Sequence, residues 1–141
     1  MAEDLYQAQL LAHHKSPMGF ELKADFTHIA EGENGACGDE IFVNAKLSQS
    51  DLEVLGFEGE SCAICRASAS IMCQLTSGKA RKEVLEILQT SLNYLTIDNA
   101  HNASSVHTEL KVLSTVHAYP IRLQCARLPW TTLAKLMENW H

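Results

Sequence analysis

Several things this 141-residue chain lacks narrow its function early. No apolar run approaches the ~18 residues that suggest a membrane span. The opening Met1-Ala2-Glu3-Asp4 is acidic where a secretory signal would be basic, so the expectation is a cytoplasmic protein with no membrane partner. Basic residues are few: 11 Lys and Arg face 17 Asp and Glu, a net charge of -6, and they are scattered rather than clustered. That balance disfavours a phosphate-backbone partner, and no nucleic acid binding is expected. Neither an internal repeat nor a linker breaks the chain, and its length suits one domain over residues 1–141. An even cysteine complement is also missing. Five cysteines without a secretory context do not form a disulfide framework, so the thiols are either small buried hydrophobes or chemically employed.

What is present is enough apolar material for a core, 46% hydrophobic against 20% charged. Leu5, Tyr6, Gln9, Leu10 and His13 recur at helical spacing from Glu3 to His14, ahead of the breaker Ser16-Pro17-Met18-Gly19. Thr27 to Glu31 reads as a short strand. Glu40 to Leu47 alternates, with Ile41, Val43, Ala45 and Leu47 on one face, and Leu52 to Glu58 returns after the turn residues Ser48-Gln49-Ser50-Asp51. From Ser61 the period becomes helical through Ile64, Ala67, Ile71 and Leu75, with Ser61 as the expected cap and Gly78 as the stop. Helices follow over Ala80 to Leu88, over Val106 to Val116 after a polar loop at 98–105, and from Pro129, where Trp130, Leu133, Met137 and Trp140 share a face. Strands early and helices late predict an α+β fold, a small three-stranded antiparallel sheet with helices packed on one face.

Three cysteines fall at expected element edges. Cys37-Gly38-Asp39 lies between two strands in a stretch holding Gly32, Gly35 and Gly38, which suits a ligand loop and also suits an ordinary glycine-rich hairpin. Cys62 stands at the start of a helix, where unpaired N–H groups and the dipole favour a thiolate. Cys125 is read at a loop-to-helix boundary with Arg122 close by in sequence. Thiolates with one carboxylate, Asp39, suit zinc or iron–sulfur chemistry, the carboxylate being the more exchangeable ligand. Cys62-Ala63-Ile64-Cys65 raises a rival, a dithiol redox protein, although that leaves Cys37 and Cys125 without a role. Cys73, mid-helix, is read as core, and the seven histidines are spread too widely to suggest a shared site.

Taken in order, these segments resemble the SufU branch of the IscU/NifU N-terminal family of iron–sulfur assembly proteins. The resemblance runs through Leu5-Tyr6, His13-His14-Lys15-Ser16-Pro17, Cys37-Gly38-Asp39, Phe57-Glu58-Gly59-Glu60-Ser61-Cys62-Ala63-Ile64, Ala67-Ser68-Ala69-Ser70, Tyr119-Pro120-Ile121-Arg122 and Cys125-Ala126-Arg127-Leu128-Pro129-Trp130. It implies zinc ligands at Cys37, Asp39, Cys62 and Cys125, with Arg122 supporting and Cys37 accepting persulfide sulfur from a SufS-type cysteine desulfurase, whose histidine would displace a zinc–thiolate bond. The alternative it carries is a scaffold that binds iron or builds a [2Fe–2S] cluster on the same residues for downstream assembly or recipient apo-proteins. The chain would then be either a sulfurtransferase-like acceptor or a non-enzymatic scaffold. It departs from the family pattern at Gly35, where proline is usual, at Cys65 for serine, at Pro129 for alanine, and at Gln124, where IscU-type scaffolds carry histidine before the cysteine.

Overall fold

The computed structural model describes residues 2–96 and 107–140. Helix α1 covers Ala2–Lys15, followed by strands β1 (His28–Asn34), β2 (Asp39–Leu47) and β3 (Asp51–Glu58). Helix α2 (Ala63–Thr76), strand β4 (Lys79–Ala80) and helix α3 (Arg81–Tyr94) come next. A 3-10 helix over Thr108–Ala118 leads into α4 (Pro120–Glu138). The polar loop expected at 98–105 lies outside the described residues.

The sheet is antiparallel in the order β1-β2-β3-β4, an α+β arrangement with one strand more than the three expected. The extra strand pairs Ala80 with Asp51 and Lys79 with Leu52. Two residues are too short to show an alternating pattern, which is why the sequence hides it. Register pairs Ala30 with Val43 and Val43 with Phe57, and Ala45 with Leu55, so the small and branched residues of three strands stack on one face. Ile41, Val43, Ala45, Leu55 and Phe57 are buried there. Helix α4 packs over β1 and β2, and α2 packs over β3 and against α4. Gly32 permits the closest approach: a Cβ at this position would collide with the Thr132 hydroxyl of α4.

Three helix assignments need correction. Helix α4 begins at Pro120, which occupies its first turn, and Pro129 lies inside it, so Cys125 is mid-helix rather than at a loop boundary. Proline is pre-organised for the first turn and Pro120 is the start signal; Pro129 supplies no N–H to the Cys125 carbonyl four residues back. Cys62, not Ser61, caps α2: its sulfur accepts from the Cys65 N–H, and the helix ends at the Ser77 cap with Gly78 just beyond at φ 82°. The helical segment expected from Val106 is a 3-10 helix, whose buried Leu110, Leu113 and Val116 recur every third residue.

Polar groups tie these layers. Ser68 Oγ, fully buried on α2, donates to the Ala126 carbonyl of α4 at 2.6 Å and accepts the Trp130 Nε1–H at 3.1 Å. Ser70 Oγ accepts the Met18 N–H at 2.8 Å and lies 2.7 Å from His13 Nδ1, anchoring α1 to α2. Burial holds the His13 imidazole below its ordinary value, offset in part by Glu109.

Candidate metal centre

The site forms where the β1–β2 hairpin, the start of α2 and the middle of α4 converge. Asn34 pairs with Asp39 at the hairpin end, leaving residues 35–38 as the turn. Within it the Cys37 N–H bonds to the Asn34 carbonyl at 3.2 Å, and Gly38 takes φ 69°, a left-handed conformation that favours glycine. The turn lifts Cys37 into a half-exposed position while directing Asp39 inward. Gly59, at φ 119°, brings the β3–α2 connection against β2, where a Cβ would collide with the Glu40 carbonyl oxygen. Glu40 N–H also bonds to the Glu60 carbonyl at 2.8 Å, and the two contacts set Cys62 beside Asp39.

Ligand atoms of Cys37, Asp39 and Cys125 all lie within 4.8 Å of one another. The Cys37 and Cys125 sulfurs are 2.8 Å apart, well beyond the ~2.05 Å of a disulfide, and all five cysteines are free. Asp39 is buried; its Oδ1 accepts the Cys62 N–H at 2.7 Å. Its Oδ2 is buried with no hydrogen-bond partner. Burial, followed by hydrogen-bonding interactions with Cys37, Asp39 and Cys62, pushes the Cys125 thiol up. A buried carboxylate oxygen without a hydrogen-bond partner is costly unless a cation completes it. Soft sulfur and one hard oxygen form a donor set suited to a tetrahedral cation.

Three of the four residues expected as ligands are therefore brought together. Cys62 stands alongside, outside that mutual grouping, with its backbone bonded to Asp39 and its side chain interacting with Cys125. Cys65 is fully buried behind it, its thiol pushed up to about 12 by burial and then by Asp39. Cys73 is buried in the core, as expected, and burial raises its thiol too. Arg122 does not enter the cluster: it is exposed one turn before Cys125, with its guanidinium 4.9 Å from the Tyr119 ring centroid. No histidine joins the cluster among the described residues; His28 bonds to Thr27 and to the Asn139 carbonyl, and His101 and His141 lie outside them. Asn34 was not singled out as a site residue in the sequence, although an asparagine opening a glycine-rich turn is the signal of an Asx turn.

The fold and cluster define a class: small α+β proteins that gather cysteines and an aspartate between a hairpin turn and a helix start. Residues 5–126 match the NifU-like N terminal domain, and the chain belongs to that family. It is 30% identical over 133 residues to the zinc-dependent sulfurtransferase SufU of Bacillus subtilis (strain 168), spanning 94% of this chain and 89% of that protein. Against the iron–sulfur cluster assembly scaffold protein IscU of Thermotoga maritima it is 31% identical over 115 residues, 82% of this chain and 80% of that one. A crystal structure from Fervidobacterium islandicum AW-1, titled as an iron–sulfur cluster assembly scaffold protein for a SUF system, aligns with a TM-score of 0.78 at 27% identity. That alignment covers 92% of this chain and 93% of the other. No helix among the described residues is long and apolar enough to cross a membrane.

Proposed function

We propose that this chain acts as one domain in SUF-type iron–sulfur cluster assembly, with Cys37 accepting persulfide sulfur from a SufS-type cysteine desulfurase. Cys37, Asp39, Cys62 and Cys125 would hold zinc, with Arg122 supporting from the exposed face. The observation that carries this reading is the grouping of Cys37, Asp39 and Cys125, with Cys37 its one half-exposed member. Zinc, when bound, would keep these thiols deprotonated near neutral pH, against the burial that makes Cys125 retain its proton.

The residues divide the work by exposure. Cys125 and Asp39 are fixed in the interior, while Cys37 rides a four-residue turn that a partner's persulfide loop can reach. In the transfer, the Cys37 thiolate attacks the terminal sulfur of the donor persulfide. A new sulfur–sulfur bond forms on Cys37, the donor's bond breaks, and the donor cysteine leaves as a thiolate. Similarity to proteins named as IscU scaffolds supports a second reading, in which a [2Fe–2S] cluster is assembled as cargo on the same residues for recipient apo-proteins.

Two measurements test the proposal. Protein purified without oxygen or added metal is expected to carry zinc without acid-labile sulfide; iron with matching sulfide would favour the scaffold. Cys37→Ala is expected to abolish the mass gain of one sulfur atom after incubation with desulfurase and cysteine. Retention of that gain would remove Cys37 as the acceptor.

A further inference from the structure

Asn34 occupies the last position of β1, immediately before the Cys37 turn, and its carboxamide faces two ways. Its Oδ1 accepts the Ala36 N–H at 3.2 Å. Because an amide N–H is only a donor, that bond identifies the oxygen end, and the nitrogen end points at Cys125. Nδ2 lies 3.8 Å from the Cys125 sulfur, within reach of an N–H···S bond. The Asn34 backbone carbonyl meanwhile accepts the Cys37 N–H at 3.2 Å. One residue thus holds the turn that carries Cys37 by two bonds and touches the sulfur on α4 by a third.

We infer that Asn34 is a positioning residue of the metal centre, its carboxamide coupling the half-exposed Cys37 turn to the buried Cys125 sulfur and so setting their separation. The inference rests on the reading that Cys37, Asp39 and Cys125 hold a metal. Apart from the contact between the Cys37 and Cys125 sulfurs themselves, no other side chain among the hydrogen bonds of the described residues joins the turn to α4. The β1–β2 register fixes Asn34 opposite Asp39, so the same residue stands across the hairpin from the carboxylate of the cluster. At Gly35 a Cβ would meet nothing within 4 Å, so within the turn it is Cys37 that packs against the core. The bonds of Asn34 add to that packing in ordering the turn.

The two ends of the amide are separable. Asn34→Asp keeps an oxygen for the Ala36 N–H but puts an acceptor where the sulfur's donor was; Asn34→Ala removes both bonds. Co(II) binding to each chain is followed by its sulfur-to-metal charge-transfer bands and by competition with a chelator, with thermal melting of the metal-free proteins as the control. Both variants are expected to melt close to wild type, to bind Co(II) about 10–100-fold more weakly and to show altered band intensity, as loss of an outer-sphere partner typically produces. An Asn34→Asp protein with wild-type affinity and spectrum would overturn the link, because the donor to Cys125 is gone and a charged acceptor stands in its place. Wild-type behaviour in both variants would do the same. A wild-type chain that takes up no Co(II) would instead fail the metal reading itself, and the inference with it.

Discussion

Asp39 and Cys62 are joined backbone to side chain: the Cys62 N–H, the first free donor of α2, bonds to Asp39 Oδ1 at 2.7 Å. One oxygen of the carboxylate thus caps a helix, while the other is left buried and unpartnered beside the thiols. The two oxygens can be tested apart. Asn at position 39 retains the capping oxygen and removes the charge. Metal-free Asp39→Asn is expected to be at least as stable as wild type, because an uncompensated buried carboxylate is gone. Its metal affinity is expected to fall by more than the ~10–100-fold that losing an outer-sphere partner costs. Thermal melts with chelator and with zinc separate the two effects; equal zinc stabilisation in both proteins would remove Asp39 from the ligand set.

The β3–α2 connection gives a second prediction. Gly59 combines φ 119° with contact against the Glu40 carbonyl, so alanine there meets both backbone strain and collision. Gly59→Ala is expected to cost about 2–5 kcal/mol, read from urea unfolding midpoints. Gly35→Ala, whose new Cβ meets nothing, serves as the neutral comparison.

Ser68 is the third. Replacing it with alanine leaves the Trp130 indole N–H and the Ala126 carbonyl without their buried partner. A loss of about 1–3 kcal/mol is expected in denaturant titration. Trp130 fluorescence is expected to report a changed environment, and an unchanged midpoint would show that the α2–α4 contact does not depend on this bond.

Cys65 links pH to stability. Its thiol is pushed up to about 12 from 9.0, so the unfolded chain releases this proton first. Stability is therefore unaffected by this group below about pH 9 and falls as pH rises from there towards about 12. Cys65→Ala is expected to lose less stability than wild type between about pH 8 and pH 10.5, measured by chemical denaturation. Alkylation in the native state is expected at Cys37 and Cys62, which are half-exposed, and at Cys65 and Cys73 only on unfolding.

The sheet and α2 were legible because each buries one face at its own period: Ile41, Val43 and Ala45 at two, and Ala67, Ile71 and Leu75 at the helical interval. Helix α4 was half legible. Trp130, Leu133 and Met137 marked its second half, but Pro129 looked like a beginning when Pro120 was the true one. An interior proline costs one backbone bond, and burial of Leu128, Trp130 and Leu133 around it outweighs that locally, which no local pattern reveals. The same error hid the setting of Cys125, placed at an element edge and found buried inside α4. A shared site for Cys37, Asp39 and Cys125 was expected from the cysteines' common setting at element edges and from the family resemblance, not from spacing. Sequence separations of 88 and 91 residues, as from Cys37 and Asn34 to Cys125, carry no geometry until the fold exists.

The outer strand of the sheet has a consequence for how the protein behaves in company. Among the described residues β1 has no strand on its far side, and such a row of backbone groups is a template for another chain's strand. Lys135 reaches from α4 to donate to the Glu31 carbonyl, occupying one of those groups with a charged side chain. Exposed Glu31 and Glu33 add like charges that two copies would bring together. The strand that ends in the site's own turn thus carries, at its open edge, the charged side chains that oppose pairing with a second strand.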